Sequence, residues 1–297
     1  MSSRLLILLF TAWAAGCAGT APLPSKAIEL NRAGALALAA GDLELADARL
    51  SVALEYSPHF VEALVNLGLV EAERGNFARA RQLLERAARL NPDVAQPHHG
   101  LGVLAERERR PDRASEHYRE ALRVDPGFSA ARANLGRLLF ESGALEEARI
   151  QFQRLTEIAP TDPNGFAGLA EALLRLGRIQ ESEQVTAVAE QRFPSFPPVT
   201  LLTARALLRR GAIEPAIERL LPLTQREDEF AAAALAWLST AELARNRPRF
   251  AVGAAEKALE LEPAQPVATR ILAAALEALG NPAAAAWRKR AQQLSVP

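Results

Sequence analysis

Residues 61–94 read VEALVNLGLVEAERGNFARARQLLERAARLNPDV, and most of the chain is a set of variations on this stretch. Leu64, Leu67 and Leu84 recur at helical spacing and mark one apolar stripe. Gly75 interrupts it, because glycine takes a positive φ without steric cost and so ends a helix. Pro92 closes the second run, since proline has no N–H to donate and clashes with the preceding turn. One window therefore predicts two helices joined by a tight turn.

Working outward, the same marks return. Pro58, Pro92, Pro126, Pro160 and Pro194 lie 34 residues apart. Ala46, Ala80, Ala114 and Ala148 keep that spacing, and Ala216 rejoins it. So do Gly41, Gly75, Gly143, Gly177 and Gly211, and a second glycine series runs through Gly34, Gly68, Gly102 and Gly136. Four interleaved series with one period are the signature of a repeat array, in which each unit buries its apolar face against its neighbours. The second glycine series and the alanines are expected where the two helices of a hairpin come closest, where a larger side chain would push them apart.

The pattern resembles the tetratricopeptide repeat family. Asn66-Leu67-Gly68, Gly75, Ala80, Leu84, Ala87 and Pro92 fill one repeat of its pattern; Leu101-Gly102, Ala114, Tyr118, Ala121 and Pro126 fill the next. Asn134-Leu135-Gly136, Gly143, Ala148, Phe152 and Pro160 fill a third. The resemblance implies an all-α, superhelical solenoid of about eight helix-turn-helix repeats. Phasing gives 27–60, 61–94, 95–128, 129–162, 163–196, 197–230, 232–265 and 266–297. The fifth repeat has Ala170 for glycine and Ser182 for alanine, and the sixth has Asp228 where the proline falls. One residue is inserted before the seventh, because Pro263 lies 69 after Pro194. The eighth keeps Gly280 and Ala285, then turns polar at Arg288-Lys289-Arg290 and Gln292-Gln293, as a terminal cap requires.

Composition agrees with helices packed closely by small residues. The chain is 49% hydrophobic but only 5% aromatic, and Ala and Leu dominate the apolar count. Its 35 basic and 35 acidic residues cancel, which removes the electrostatic basis for binding nucleic acid.

The first residues read as an address. After Met1–Arg4, the apolar run from Leu5 to Ala15 is shorter than the roughly 20 residues a membrane span needs and suits a signal-peptide core. It ends in Ala14-Ala15-Gly16-Cys17, which resembles the bacterial lipobox, and Cys17 is the only cysteine in the chain. That resemblance implies a signal peptide over 1–16, a lipidated Cys17 and a flexible tether over 17–26. With Ala18 next in place of aspartate, the implied location is the outer membrane, on its periplasmic side. The alternative is an ordinary secretory signal cut after Ala15 or Gly16.

On the geometry the family resemblance implies, the first helices line a concave groove. Val65, Leu69, Val103, Phe140, Leu201 and Leu208 are its candidate apolar lining, with Leu174 also facing it. Arg137, Glu171, Arg175, Arg205 and Arg209 lie among them. An apolar middle with a basic rim would suit a partner segment with apolar anchors and acidic flanks. The bland alternative is that these leucines pack on the neighbouring repeat and the arginines are solvated. Some family members clamp a C-terminal carboxylate with concave asparagines; here those places hold Leu69, Val103, Arg137 and Glu171.

No enzyme motif, metal set or cofactor loop is present. His98 and His99 are adjacent and point about 100° apart on a helix, so one face cannot offer both to an ion. His59 falls in an inter-repeat turn, and His117 is the fourth histidine. The expectation is a non-enzymatic scaffold or adaptor of the bacterial envelope, binding protein partners and carrying no cofactor. A pilotin-like assembly factor for a type IV pilus or secretion-system secretin is one alternative. A component of polysaccharide or protein export is another.

Overall fold

The computed structural model describes residues 22–294, so the lipobox with Cys17 and the signal segment lie outside the described residues. Sixteen α-helices and no strand occur among the described residues. They form two compact units, divided between Ile158 and Ala159. The first contains α1 (Ser25–Ala39), α2 (Leu43–Tyr56), α3 (Val61–Glu73), α4 (Phe77–Leu90), α5 (Ala95–Arg107), α6 (Pro111–Val124), α7 (Ser129–Glu141) and α8 (Leu145–Ile158). The second contains α9 (Pro163–Arg175), α10 (Ile179–Arg192), α11 (Pro197–Arg210), α12 (Ile213–Thr224), α13 (Phe230–Ala244), α14 (Pro248–Leu261), α15 (Pro266–Ala278) and α16 (Ala284–Leu294). Each unit is a stack of four antiparallel hairpins, odd helix to even helix.

In seven of the eight hairpins the turn is closed in one way, and in the fourth the Ser142 hydroxyl takes the Leu139 carbonyl instead. Gly75 sits at φ 81°, its N–H bonds to the Ala72 carbonyl at 3.1 Å, and Asn76 N–H reaches back to Glu71 at 2.8 Å. That six-residue closure satisfies the last carbonyls of the first helix. The third and seventh hairpins make the same turn without glycine: Arg109 stands at φ 59° and Asn246 at φ 60°. The left-handed residues are therefore 41, 75, 109, 143, 177, 211, 246 and 280. Only the step from 211 to 246 exceeds the common 34, which fixes the inserted residue between the sixth and seventh turns.

Between the helices of a hairpin, volume is matched. A Cβ on Gly34 would lie 2.6 Å from Leu50 Cγ, and one on Gly102 only 2.5 Å from the Tyr118 ring. Gly68 against Leu84 and Gly136 against Phe152 repeat the arrangement at 2.8 and 3.0 Å. A large side chain sixteen residues on thus occupies the space that each missing side chain leaves. In the fifth hairpin, buried Ser182 donates its hydroxyl to the Ala170 carbonyl at 2.9 Å, so the polar substitute is satisfied.

Two departures stand out. α12 has 12 residues against 14 in α10 and α14, and it contains Pro222 near its end. In the last hairpin Ala284 is the buried small residue and Ala285 is exposed, so the second helix there is shifted by one place. The rest of α16 is mostly exposed, including Arg288, Lys289, Arg290, Gln292 and Gln293.

Candidate functional site

The first helices carry the residues singled out for partner binding. Val65, Val103 and Leu201 are 6%, 3% and 9% exposed, so they support the first-helix row from beneath and present little to a partner. Val65 packs with Leu84, Leu101 and Leu104; Leu201 packs with Ala204, Leu220 and Ala234. Leu174 is likewise fully buried, beside Ala170 and Leu202. Leu69, Phe140 and Leu208 are half-buried, and Arg175 and Arg209 are exposed. Those five are accessible, as in part are Arg137, Glu171 and Arg205.

The remaining charges are largely paired from one repeat to the next. In the first unit Arg137 bonds Glu106 of the preceding hairpin and Glu141 of its own helix, the latter at 3.0 Å. Arg107 bonds Glu73 in the same sense. In the second unit Arg205 grips Glu171 through both guanidinium nitrogens and stacks on Trp237, 5.0 Å from the ring centre. Arg209 donates to the Leu174 carbonyl at 2.8 Å. Contacts 31 to 35 residues apart in sequence thereby stitch successive first helices together within each unit, and Arg137 and Arg205 are neutralised by acids on the same face. Glu73, Glu106, Arg107 and Trp237 were not among the predicted site residues. Their signal was available: each lies close to one repeat length from its partner.

Beneath this row in the first unit lies a part-buried polar cluster around the fully buried Tyr118. The Tyr118 hydroxyl donates to Glu106 at 2.5 Å, and burial together with that carboxylate pushes the phenol's pKa up. Asn134 donates its amide to His99 Nε2 at 3.1 Å, and the imidazole rests against the Tyr118 and Phe128 rings. Burial holds His99 down at about 4, so it is neutral under ordinary conditions. His99 is thus a half-buried packing residue whose ring nitrogen is occupied, and its neighbour Tyr118 orients the carboxylate that Arg137 binds.

Outside the row, the second unit has an open cleft of about 520 Å³ lined by Glu190, Pro194, Pro197, Arg219, Pro222 and Leu223. Arg219 bonds Glu190 there at 3.1 Å. Among the described residues no three His, Cys, Asp or Glu side chains are disposed to hold a metal ion. None of the described helices is long and apolar enough to cross a membrane.

Comparison with known proteins matches this geometry. Tetratricopeptide repeat models fit residues 60–127 and 99–163. Mouse tetratricopeptide repeat protein 8 is 37% identical over 65 residues, which is 22% of this chain and 13% of that protein. Among solved structures, PilF of Pseudomonas aeruginosa aligns with a TM-score of 0.58 at 23% identity, over 70% of this chain and 94% of its own. PilW, described as a widely conserved type IV pilus biogenesis factor, aligns at 0.59 and 19% identity, over 71% of this chain and 99% of its own. The Cut9–Hcn1 assembly aligns at 0.63 and 15% identity, covering 88% of this chain and 53% of that one. At such identities the likeness is one of fold.

Proposed function

We propose that this tetratricopeptide-repeat solenoid is a membrane-anchored scaffold of the bacterial cell envelope, which holds protein segments against its first-helix rows. The observation that carries the scaffold reading is the row itself. Within each unit successive first helices are tied by ion pairs, Glu106–Arg137 in the first and Glu171–Arg205 in the second, so each unit has its own preorganised row; Leu69 and Phe140 remain partly accessible on the first, and Leu208, Arg175 and Arg209 partly or fully accessible on the second. Preorganisation lowers the ordering cost of binding an extended or helical segment. Ala14-Ala15-Gly16-Cys17 supports the anchor, with lipid on Cys17 and the chain on the periplasmic face of the outer membrane.

Within that role, assembly of a type IV pilus is the favoured system. Its support is the likeness to PilF and PilW, each covered over nearly its whole length. A place in polysaccharide or protein export is the competing assignment.

A photo-crosslinking residue at Leu69, Phe140 or Leu208, read in the native envelope by mass spectrometry, tests the surface. One recurrent protein adduct is expected; adducts only from sites on the second helices would reject the first-helix rows. Cys17→Ser should move the protein from the membrane to the soluble periplasm. Deleting the gene should abolish secretin multimers; normal multimers and piliation would eliminate the pilus assignment and leave the scaffold.

A further inference from the structure

The first hairpin has an open end that differs from the later hairpins of its own unit. At three positions, residues of later hairpins lie against the hairpin before them. The first-helix position of Val70, Leu104 and Leu138 is buried, whereas its counterpart Leu36 is 48% exposed. Leu83 packs on the core of the first hairpin, and Arg86 donates to the Pro58 carbonyl at 2.8 Å; their counterparts are Arg49 and Val52. Leu45, Val52 and Tyr56 form one stripe on α2, each a third or more exposed. The matching places on α4, α6 and α8 are charged except at the last turn: Arg79, Arg86; Arg113, Glu120; Glu147, Arg154. Around the stripe, Glu29 is bonded by Lys26 and Glu44 by Arg74, which leaves exposed Arg32 and Arg49 against Glu55 and the N-cap carboxylate Asp42, which accepts from the Leu45 N–H.

Resting on the lipoprotein reading above, we infer that this end is a lipid-facing surface: Leu36, Leu45, Val52 and Tyr56 enter the headgroup layer and Arg32 and Arg49 meet phosphates. Chain length is the argument for that occupant. Cys17 precedes Ser25 by eight residues, so an acylated Cys17 keeps α1 within about 28 Å of the bilayer, however the tether runs. A patch of four part-exposed side chains is too small to bind alone. It also falls well short of the roughly 800 Å² per partner that a stable dimer buries. A short tether removes that difficulty, because it turns a weak contact into an intramolecular one at high effective concentration. Tyr56 suits the interface, with an apolar ring and a polar tip, and arginines can extend their apolar stems while the charge stays in water.

The full acylated chain would be reconstituted in vesicles of phosphatidylethanolamine with a minor fraction of phosphatidylglycerol, some lipids carrying a bromine quencher. Acylation consumes the Cys17 thiol, so Val52→Cys and, as control, Glu116→Cys on α6 each offer one site for a fluorescent label. Strong quenching at residue 52 and little at residue 116 is expected, with the difference lost in the Leu36→Glu/Tyr56→Glu background. Equal quenching at both sites, in protein whose acyl chains are verified by mass, would overturn the lipid-facing assignment while leaving the anchor intact. Absence of acyl chains would remove both readings. A dimer in sedimentation that Leu36→Glu dissociates would assign the end to a second copy instead and also overturn the proposal.

Discussion

At the scale of single residues, Arg109 shows how the period outranks local preference. Its place is the left-handed turn position, where a non-glycine side chain costs on the order of 1–2 kcal/mol. Glycine would give back part of that through the freer unfolded chain. Arg109→Gly should therefore raise stability by about 0.5–1 kcal/mol, read as a higher melting temperature by circular dichroism. Asn246→Gly should change little, because asparagine tolerates that conformation. The glycines at this position were legible from sequence, and so in principle were positions 109 and 246, since the turn is set by the flanking helices. His99 was not legible as a packing residue: its enclosure depends on Tyr118 and Phe128 arriving from elsewhere. Folded His99 binds a proton only near pH 4, whereas the unfolded chain does so near 6.5. Between those values the unfolded state holds more protons, so stability is full above about pH 6.5 and falls as the pH drops toward 4. From pH 7 to pH 5 this site should cost about 2 kcal/mol, measured as a lower urea midpoint. His99→Leu should lose stability at both pH values yet flatten that dependence; an unchanged slope would assign the acid sensitivity to other groups.

Single helices obey the same grid until a residue breaks it, and α12 is the clearest case. Pro222 stands at the place that holds Val188 in α10 and Lys257 in α14, both inside full-length helices. There it removes a backbone hydrogen bond and its ring crowds the carbonyl four residues earlier. The helix ends two residues later, and residues 225–229 bridge to α13. Pro222→Ala should lengthen α12 and stabilise the second unit by about 2 kcal/mol, the helix cost of proline less its entropic benefit in the unfolded chain. Greater helical ellipticity with a higher urea midpoint would bear this out; a loss of stability would mean that the adjoining cleft requires the short helix. Sequence alone showed that the sixth repeat lacked its closing proline and that a residue was inserted nearby. It did not show that the two facts share one site, because a proline within a helix pattern marks a kink or an end and says nothing about which.

Across the whole molecule, stability is a sum over neighbours, so what matters most is how the ends are treated. Phasing from prolines, alanines and glycines was enough to read the repeats and the polar final helix. The ties between first helices were readable only as near-repeat spacing: the ion-pair offsets of 31 and 34 residues, and the 35 from Arg209 to the Leu174 carbonyl, are set by how far each hairpin is rotated relative to the last, which the period does not give. The final hairpin covers a cluster in which Leu235, Ala236, Ala255 and Ala258 pack against Ala268, Leu272 and Leu276. Of α16 itself only Ala284 is buried, so its contribution is less a core than a lid with a wet outer side. Ending the chain after Pro263 would expose the apolar surface of the seventh hairpin while removing few charges. That truncation should lower the melting temperature and cause association in size-exclusion chromatography, although the removed residues are only an end of the array. Replacing Arg288, Lys289 and Arg290 with leucine should leave the fold's melting temperature nearly unchanged and yet bring on the same association. The pair of results would separate the two duties of a terminal repeat, covering its neighbour and staying soluble itself.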